Sequence, residues 1–288
     1  MPTSGQFAVG ELVTSSDANS LFVRGYRNRI INGAFVINQR AYTSGTNLAS
    51  GSYGFDRWKS GYTNTALTFT AGSQSTTVTI SSSGVLQQII ERVNIPAGNY
   101  ILSFSGTATG RVYNSGGSAP AYAASPILVT LDGTANVVVE FTASGGTKTL
   151  SNVQLEAGAV FSPFEYRQRA EEIILCQRYY EKSYDIATAL GTATNSGMHW
   201  GDFGTHADAT SISPIPFKVN KRTGSYTVSF WSSVGVSNNW SFERSGSGAN
   251  TIPVAFSQGE HVMHVYIQTG AAWTVAIRYG HWAADAEI

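Results

Sequence analysis

The sequence contains little cysteine and little charge. Cys176 is the single cysteine among 288 residues, which excludes an internal disulfide framework and a cysteine-based zinc site. It is therefore predicted to be a small buried apolar group. Charged residues make up 12% of the chain, and the formal net charge is zero at an isoelectric point near 7.0. Neither nucleic acid nor an anionic membrane is expected as a partner.

Long apolar runs are missing as well. No stretch approaches the roughly 20 apolar residues of a membrane-spanning helix, so membrane insertion is not expected. The first residues, MPTSGQFAVGELVTSS, contain no basic segment followed by an apolar one, and no signal peptide is predicted. We expect a soluble protein made in a cytoplasm. Its 30 glycines, with abundant serine and threonine, favour an exposed β-rich surface protein over a cytosolic enzyme.

The sequence does contain apolar side chains that alternate with a period of two. Between residues 28 and 166, short alternating segments are separated by Gly/Ser/Asn turns, which predicts a β-sandwich of the jelly-roll type. The side chains that share a face within each segment are Tyr100, Leu102 and Phe104; Ile127, Val129 and Leu131; Val137, Val139 and Phe141; and Val153 and Leu155.

A helix-like segment separates this region from a second β-rich region. Residues 167–184 lack glycine and proline and are rich in helix-forming residues, which predicts a connecting α-helix of about four turns. In residues 185–288 the alternation returns, which predicts a second, smaller β-sandwich domain. The faces there combine Tyr226, Val228 and Phe230; Met263, Val265 and Ile267; and Trp273, Val275, Ile277 and Tyr279. The predicted fold is mainly β, with residues 1–27 as a leader.

Several motifs in combination resemble a known module. They are NRIINGAFVINQR (28–40), YGFDRWK (53–59), LSNVQLEAGAVFSPFEYR (150–167) and EEIILCQRYYEKSY (171–184). Together they resemble bacteriophage tail-fibre and receptor-binding proteins, in which a jelly roll similar to carbohydrate-binding modules precedes a Leu-Cys-Gln-Arg-Tyr-Tyr helix and a variable C-terminal domain. The start of the chain and its last residues, GHWAADAEI, are similar to that group too.

The resemblance implies a virion protein of a tail or other surface fibre, made in the host cytoplasm and homotrimeric. The leader would contact other virion proteins, and the helix would form a neck near the symmetry axis. In that neck Ile173, Ile174, Cys176 and Tyr180 would pack against their copies; the alternative is a helix packed against its own sandwich. Related modules often carry a structural calcium ion, for which no ligands are assigned, and no other cofactor is expected.

Two motifs predict local structure in the jelly roll. The Asn32-Gly33 pair is expected to form a tight turn that requires a positive φ. Asp56, Arg57 and Trp58 are expected to form a structural corner and not a site. Arg57 can pair with Asp56 there, and Trp58 can cover the core.

No catalytic signature is present. The chain lacks a Gly-x-Ser-x-Gly motif, a P-loop and a dinucleotide fingerprint. His199, Asp202 and His206 match no specific metal spacing, and His261 and His264 fall on opposite faces of a predicted strand. Asp202, Asp208, Glu243 and Glu260 all lie in the second domain and could supply a glycosidase-type carboxylate pair, but any two acidic residues on loops would satisfy that pattern. We predict binding without catalysis, and no metal site.

Recognition of a sugar would depend on aromatic side chains, because a flat ring can stack on the CH face of a pyranose. The best candidates are Trp231, opposite Val228 and Phe230, and Trp240, in a polar string. Alanine at these two tryptophans is expected to abolish host binding without unfolding. Trp200 and Trp282 in loop-like strings, and Tyr266, are further candidates. Packing in the core or between subunits is the alternative for each ring.

The sequence therefore predicts a non-enzymatic phage receptor-binding subunit that attaches to bacterial surface polysaccharide. The alternative is a structural head or tail decoration or adaptor protein that binds only other virion proteins. A polysaccharide-degrading enzyme is disfavoured, because the large repetitive scaffold usual in tail depolymerases is absent.

Overall fold

The computed structural model describes residues 27–202, 210–244, 247–268 and 276–288. The predicted leader, apart from Arg27, lies outside the described residues, as do His206, Asp208 and Trp273. Within these ranges the chain is mainly β, with one α-helix between two β-sandwich units. This confirms the predicted fold class. None of the described helices is long and apolar enough to cross a membrane.

The first unit is a sandwich of two antiparallel sheets. Its strands are β1 (Asn47–Leu48), β2 (Lys59–Ser60), β3 (Thr65–Ala71), β4 (Thr76–Ile80), β5 (Val85–Ile90), β6 (Gly98–Gly106), β7 (Thr109–Asn114), β8 (Ile127–Leu131), β9 (Val137–Thr142) and β10 (Lys148–Ala157). One sheet has the order β1-β3-β4-β10-β6-β8 and the other has the order β2-β5-β9-β7. A short 3-10 helix, Arg92–Asn94, lies between β5 and β6.

The alternating apolar faces predicted for the first unit pack into one core. Phe104 of β6 meets Phe141 of β9 edge to face, with 5.0 Å between ring centroids, so the two sheets bury their inner faces against each other. The predicted faces of β6, β8, β9 and β10 all contribute to this core. Trp58 is fully buried and stacks on Phe35 at 4.9 Å, which confirms that it covers the core.

The Asn32-Gly33 turn joins the beginning of the first unit to its last strand. The predicted positive φ falls on Asn32 (58°), whose side-chain oxygen accepts hydrogen bonds from the N–H groups of Val36 and Ile37, both at 2.9 Å. Gly33 is required for a different reason. A Cβ at this position would lie 2.2 Å from the carbonyl oxygen of Val153 on β10, so only glycine permits this close approach.

The second unit is organised around one long strand. Its strands are β11 (Tyr180–Lys182), β12 (His199–Asp202), β13 (Thr210–Pro216), β14 (Thr227–Trp231), β15 (Trp240–Arg244), β16 (Ser247–Thr251), β17 (Pro253–Gln258), β18 (Val262–Gln268) and β19 (Ala276–Asp285). β19 pairs with β12 and β15 along its first half and with β11 and β14 along its second half. A separate sheet, β13-β18-β17, packs against this one.

The helix is shorter than predicted. α1 spans Arg169–Gln177, nine residues, whereas the sequence predicted 167–184. It begins where the N–H of Gln168 donates to the Glu171 carboxylate at 3.3 Å. It ends because Tyr180 and the two residues after it form β11, which pairs with β19. Pairing with a distant strand overrides the local helical propensity of these residues.

The helix packs against its own chain. Cys176 is 0% and Tyr180 is 2% exposed, so neither side chain is available for the predicted neck contact with another copy. Burial also raises the pKa of the Cys176 thiol well above its usual value, as expected for an inert buried residue. Glu172 accepts a hydrogen bond from the N–H of Asn32. Ile173 is half-buried and Ile174 is 52% exposed.

Arg57 connects the two units. It does not pair with Asp56, whose carboxylate accepts hydrogen bonds from the backbone and side-chain nitrogens of Gln39, both at 2.6 Å. The Arg57 guanidinium forms an ion pair with Glu287, and the two side chains are 1% and 4% exposed. It also lies 3.5 Å from the ring centroid of Tyr179. The predicted Asp56–Arg57 pair is wrong because Glu287 supplies a partner from the far end of the chain.

Further side chains of the first unit bind the same C-terminal segment. Arg40 donates to Asp285 at 3.0 Å, and Tyr53 Oη and Lys59 Nζ donate to the Ile288 oxygen at 2.7 and 2.8 Å. Burial alone would lower the pKa of Arg40, but the neighbouring carboxylates outweigh it and raise that pKa above its usual value. We call this set the clasp: Arg40, Tyr53, Arg57 and Lys59 of the first unit with Asp285, Glu287 and Ile288 of the second.

Replacement of Arg57 by methionine should lower the free energy of unfolding by about 3 kcal/mol, because it removes one partner of a buried ion pair. Arg27→Met is the matched control, since Arg27 is 3.8 Å from Glu165 and its side chain is 44% exposed. The control substitution should lower the free energy of unfolding by less than about 1 kcal/mol. Urea unfolding of both variants gives the comparison, and equal losses would contradict the clasp.

Candidate functional site

Two of the predicted sugar-binding tryptophans are buried. Trp240 is 0% and Trp282 is 5% exposed in the core of the second unit. Phe230 packs edge to face on Trp240, and Phe217 packs in the same way on Trp282. The indole N–H of Trp240 donates to the carbonyl of His281 at 3.0 Å. Neither ring has a free face for a sugar, so the prediction for these two residues is wrong.

Trp231 and Tyr266 are half-buried. The Trp231 ring packs edge to face against Tyr184, with 6.2 Å between centroids. Tyr266 lies on β18, on the face opposite the buried Met263 and Val265. Their roles in ligand binding stay predictions.

Trp200 is the exposed tryptophan among the predicted candidates. It stands directly opposite Tyr279 in the β12–β19 register, and the two rings stack with 4.8 Å between centroids at an interplanar angle of 26°. Trp200 is nevertheless 56% exposed. We call Trp200 and Tyr279 the indole platform. Its indole is held in one orientation by the tyrosine, so a ligand that stacks on it freezes little side-chain motion.

The neighbours of the indole platform in the sheet have partners of their own. Ser241 of β15 stands opposite Tyr279 on the side away from Trp200, is 8% exposed, and is hydrogen-bonded to Ser233 Oγ at 3.2 Å. His199 precedes Trp200 in β12 and therefore points to the opposite face of the sheet, where its ring lies 5.7 Å from that of the buried Trp240. Its Nε2 is hydrogen-bonded to Ser213 Oγ at 2.8 Å, and burial lowers the pKa of this imidazole. The exposed feature of this face is thus the indole itself, and a flat aromatic ring can stack on the CH face of a sugar.

The histidines predicted not to form a metal site have individual partners. His261 is hydrogen-bonded to Asn220 at 2.6 Å. Among the residues that the structure describes, no group of three or more His, Cys, Asp or Glu residues could hold a metal ion. The described part of the chain does not include His206, Asp208 or the side chains of Asp202 and Glu243.

A tyrosine cluster on the first unit was not predicted. Glu140 is fully buried on β9, opposite Arg111 of β7, and Arg111 Nε donates to it at 2.7 Å. The hydroxyl of Tyr122 also binds Glu140, and Tyr113 does so at 3.4 Å. Tyr62, 62% exposed, is hydrogen-bonded to Tyr122 at 3.2 Å. Burial and the bond to Glu140 raise the pKa of Tyr122. We call these five residues the tyrosine patch.

A local signal for part of the tyrosine patch exists in the sequence. One glutamate interrupts the apolar string VVVEFT (137–142), and Arg111 and Tyr113 share the polar face of TGRVYN (109–114). A lone acid on a mostly apolar strand needs a partner when it is buried. Tyr62 and Tyr122 come from loops distant in the sequence, so their part in the cluster has no local signal.

A cleft lies beside the clasp. Its volume is about 630 Å³, and both units line it. The first unit contributes Arg40, Tyr53 and Lys59, and the second contributes Tyr180, Ser229 and Asp285. We call it the junction cleft. Sequence analysis did not predict it, because its walls come from opposite ends of the chain.

Trp240→Ala should lower the free energy of unfolding by about 3–5 kcal/mol, because it leaves a cavity in a packed core. Trp200→Ala should change it by less than about 1 kcal/mol, since that ring is largely exposed. Chemical unfolding of the two variants distinguishes a ring in the core from a ring on the platform. Native-like stability of Trp240→Ala would contradict the placement of this ring.

Comparison with known proteins gives weak likenesses. No protein-family model and no curated protein matches the chain. Among solved structures, it is similar to the enzymatically active domain of tailspike protein 4 of bacteriophage CBA120 (16% identity, 46% of this chain, 22% of that chain, TM-score 0.29). It is also similar to a Paenibacillus sp. cycloisomaltooligosaccharide glucanotransferase complexed with cycloisomaltoheptaose (12% identity, 84% and 46%, TM-score 0.22). A third is the CBM22-1–CBM22-2 tandem domain of Paenibacillus barcinonensis Xyn10C (8% identity, 86% and 98%, TM-score 0.25).

The chain spans less than half the length of the first two of these proteins. TM-scores of this size do not define a shared fold. Membership of the phage fibre family therefore stays a prediction from the sequence motifs.

Proposed function

We propose that the chain is a non-enzymatic receptor-binding subunit of a bacteriophage particle that attaches to a bacterial surface polysaccharide. The observation that carries this proposal is the indole platform. Trp200 is exposed on a sheet surface and is held flat against Tyr279 at 4.8 Å. A pyranose ring can stack its CH face on the indole.

The shape of the platform favours a sugar over an apolar protein partner. It consists of two stacked rings, of which Trp200 is 56% exposed. Protein docking surfaces bury a wider apolar area with several anchors. One or two rings suit a single saccharide unit. Repeated binding along a polysaccharide, by several copies of the chain, would then supply the avidity that one unit lacks.

The other parts of the chain have supporting roles in this proposal. The clasp fixes the second unit, with its platform, to the first. The leader, residues 1–27, contacts other virion proteins, as the sequence motifs imply. The chain assembles as a homotrimer on a tail or other surface fibre, and it binds polysaccharide without cleaving it.

Trp200→Ala should weaken binding to host cells by about tenfold or more. Loss of one stacked ring costs about 0.5–1.5 kcal/mol of binding free energy in addition to the contribution of the area that it buries. Multivalency multiplies this effect. The measurement is adsorption of the labelled full-length chain to host cells and to their purified surface polysaccharide. Tyr62→Ala is the matched control, because it removes an exposed ring from the first unit.

Each result has a defined meaning. Unchanged adsorption of Trp200→Ala would refute the role of the indole platform. A loss of adsorption in Tyr62→Ala alone would indicate that the glycan binds at the tyrosine patch. A native chain that binds neither cells nor polysaccharide, but does bind other virion proteins, would support the structural adaptor instead. Release of reducing sugar from the polysaccharide would refute the non-enzymatic assignment.

Light scattering should give three times the 30.7 kDa mass of one chain. If the exposed side of α1 faces the symmetry axis, Ile174→Glu should shift the protein towards monomer, because Ile174 is 52% exposed on that helix. Val93→Glu, at a 78% exposed position on the 3-10 helix, is the control and should leave the mass unchanged. A native protein that is cleanly monomeric would contradict the homotrimer.

A further inference from the structure

The connection between β10 and α1 carries large apolar side chains on its outer surface. Val160 is 82%, Phe161 is 54% and Tyr166 is 52% exposed. Phe164 is half-buried and packs edge to face on Tyr166, with 4.9 Å between ring centroids. We call residues 160–166 the apolar loop. Large apolar side chains that cluster on a surface indicate a contact site, whereas those scattered singly do not.

The polar residues of the apolar loop hold it to β10 from the inner side. The N–H and the hydroxyl of Ser162 both donate to the Glu156 carboxylate at 2.7 Å. The N–H of Glu165 donates to Gln154 Oε1 at 2.8 Å. Glu156 is 6% and Gln154 is 0% exposed. These buried hydrogen bonds fix the loop with its polar groups inward, so its apolar side chains can be covered only from outside.

The chain enters the first unit at this loop. The Glu165 carboxylate accepts hydrogen bonds from the N–H of Arg27 at 3.2 Å and from the N–H of Asn28 at 3.0 Å. Asn28 is 3% exposed. The position of residue 27 is therefore fixed at Glu165, between Phe164 and Tyr166 in the sequence. Residues 1–26 lie outside the described residues.

The leader contains an apolar run close to this entry point. Leu21-Phe22-Val23 ends four positions before Arg27. Four extended residues span at most about 14 Å and six span about 21 Å, which is enough to reach the apolar loop from Glu165. A segment on so short a tether is present at about millimolar effective concentration. A second copy or another protein must arrive from solution, so the leader's own apolar run is the favoured occupant.

We propose that Leu21-Phe22-Val23 docks on the apolar loop of the same chain. The contact removes apolar surface from water on both sides and fixes the direction in which the leader leaves the first unit. Residues 1–20 remain for contacts with other proteins. This inference does not rest on the proposed sugar binding, because the apolar loop belongs to the first unit and Trp200 belongs to the second.

The first test is a disulfide within the full-length chain that carries Phe22→Cys and Phe161→Cys. Mild oxidation should join the two positions in one chain, as measured by intact mass and by migration on a non-reducing gel. Cys176 is 0% exposed and does not compete.

The control for the first test combines Phe22→Cys with Tyr62→Cys and should form no disulfide within a chain. Tyr62 is 62% exposed. Its neighbour Thr63 is hydrogen-bonded to Ser83, next to the end of β4 that pairs with the beginning of β10. The apolar loop follows the other end of β10, whose ten residues span roughly 33 Å.

The second test is cleavage by trypsin after Arg24, the residue that follows the apolar run. Docking protects this bond, so Phe161→Ser should accelerate its cleavage by about tenfold, measured by mass spectrometry as loss of residues 1–24. Tyr62→Ser is the matched control and should leave the rate unchanged. Both substitutions are at exposed positions, and an unchanged unfolding temperature verifies that each variant is folded.

The proposal requires both results. A disulfide between chains in place of one within a chain would make a second copy the occupant of the apolar loop and would overturn it. It would also be overturned if the folded Phe22→Cys and Phe161→Cys protein stayed reduced. Equal rates of cleavage after Arg24 in the unmodified chain and in Phe161→Ser would show that the leader does not cover the loop. Loss of cell adsorption in Trp200→Ala has no bearing on these outcomes.

Discussion

The arrangement of the two units depends on the buried ion pair between Arg57 and Glu287. Removing two charges from water is costly unless each finds a partner with good geometry. Arg57 is enclosed by the first unit and by the ring of Tyr179, 3.5 Å from its guanidinium. Glu287 can reach this buried guanidinium only when the end of β19 lies against the first unit. The same constraint creates the junction cleft, because it holds the walls of that cleft at a fixed separation.

Elements specified by local patterns were predictable from the sequence. Alternation along β6, β9 and β10 identified their buried faces because a strand in a sandwich has one inner and one outer side. The helix was only half predicted. Residues up to Gln177 form it, but the residues that follow pair with β19, and no property of their own sequence reveals a partner about a hundred positions away. Arg57 was assigned to Asp56, its neighbour in the sequence, for the same reason.

The site was harder to predict than the fold, because the exposure of a side chain depends on which other residues pack around it. Trp240 stands in the polar string SNNWSFERS and has the composition of a surface residue. It is buried because Gly280 on β19 leaves room for it: a Cβ at Gly280 would lie 2.2 Å from the indole. Trp200, in a string that resembled a loop, lies on strand β12 with its ring exposed. Contacts that only the three-dimensional structure defines bury Trp240 and Trp282 and leave Trp200 exposed.

The position of β19 has a consequence for biosynthesis. Four other strands pair with it directly, so during translation the second unit lacks its central strand until residues 276–285 have left the ribosome. The core of the first unit consists of residues before 156. This unit can therefore fold earlier, in the N-to-C order usual for domains. Until Glu287 has been synthesised, Arg57 lacks its ion-pair partner. A nascent chain stalled before β19 would expose unpaired strand edges, and such edges invite aggregation.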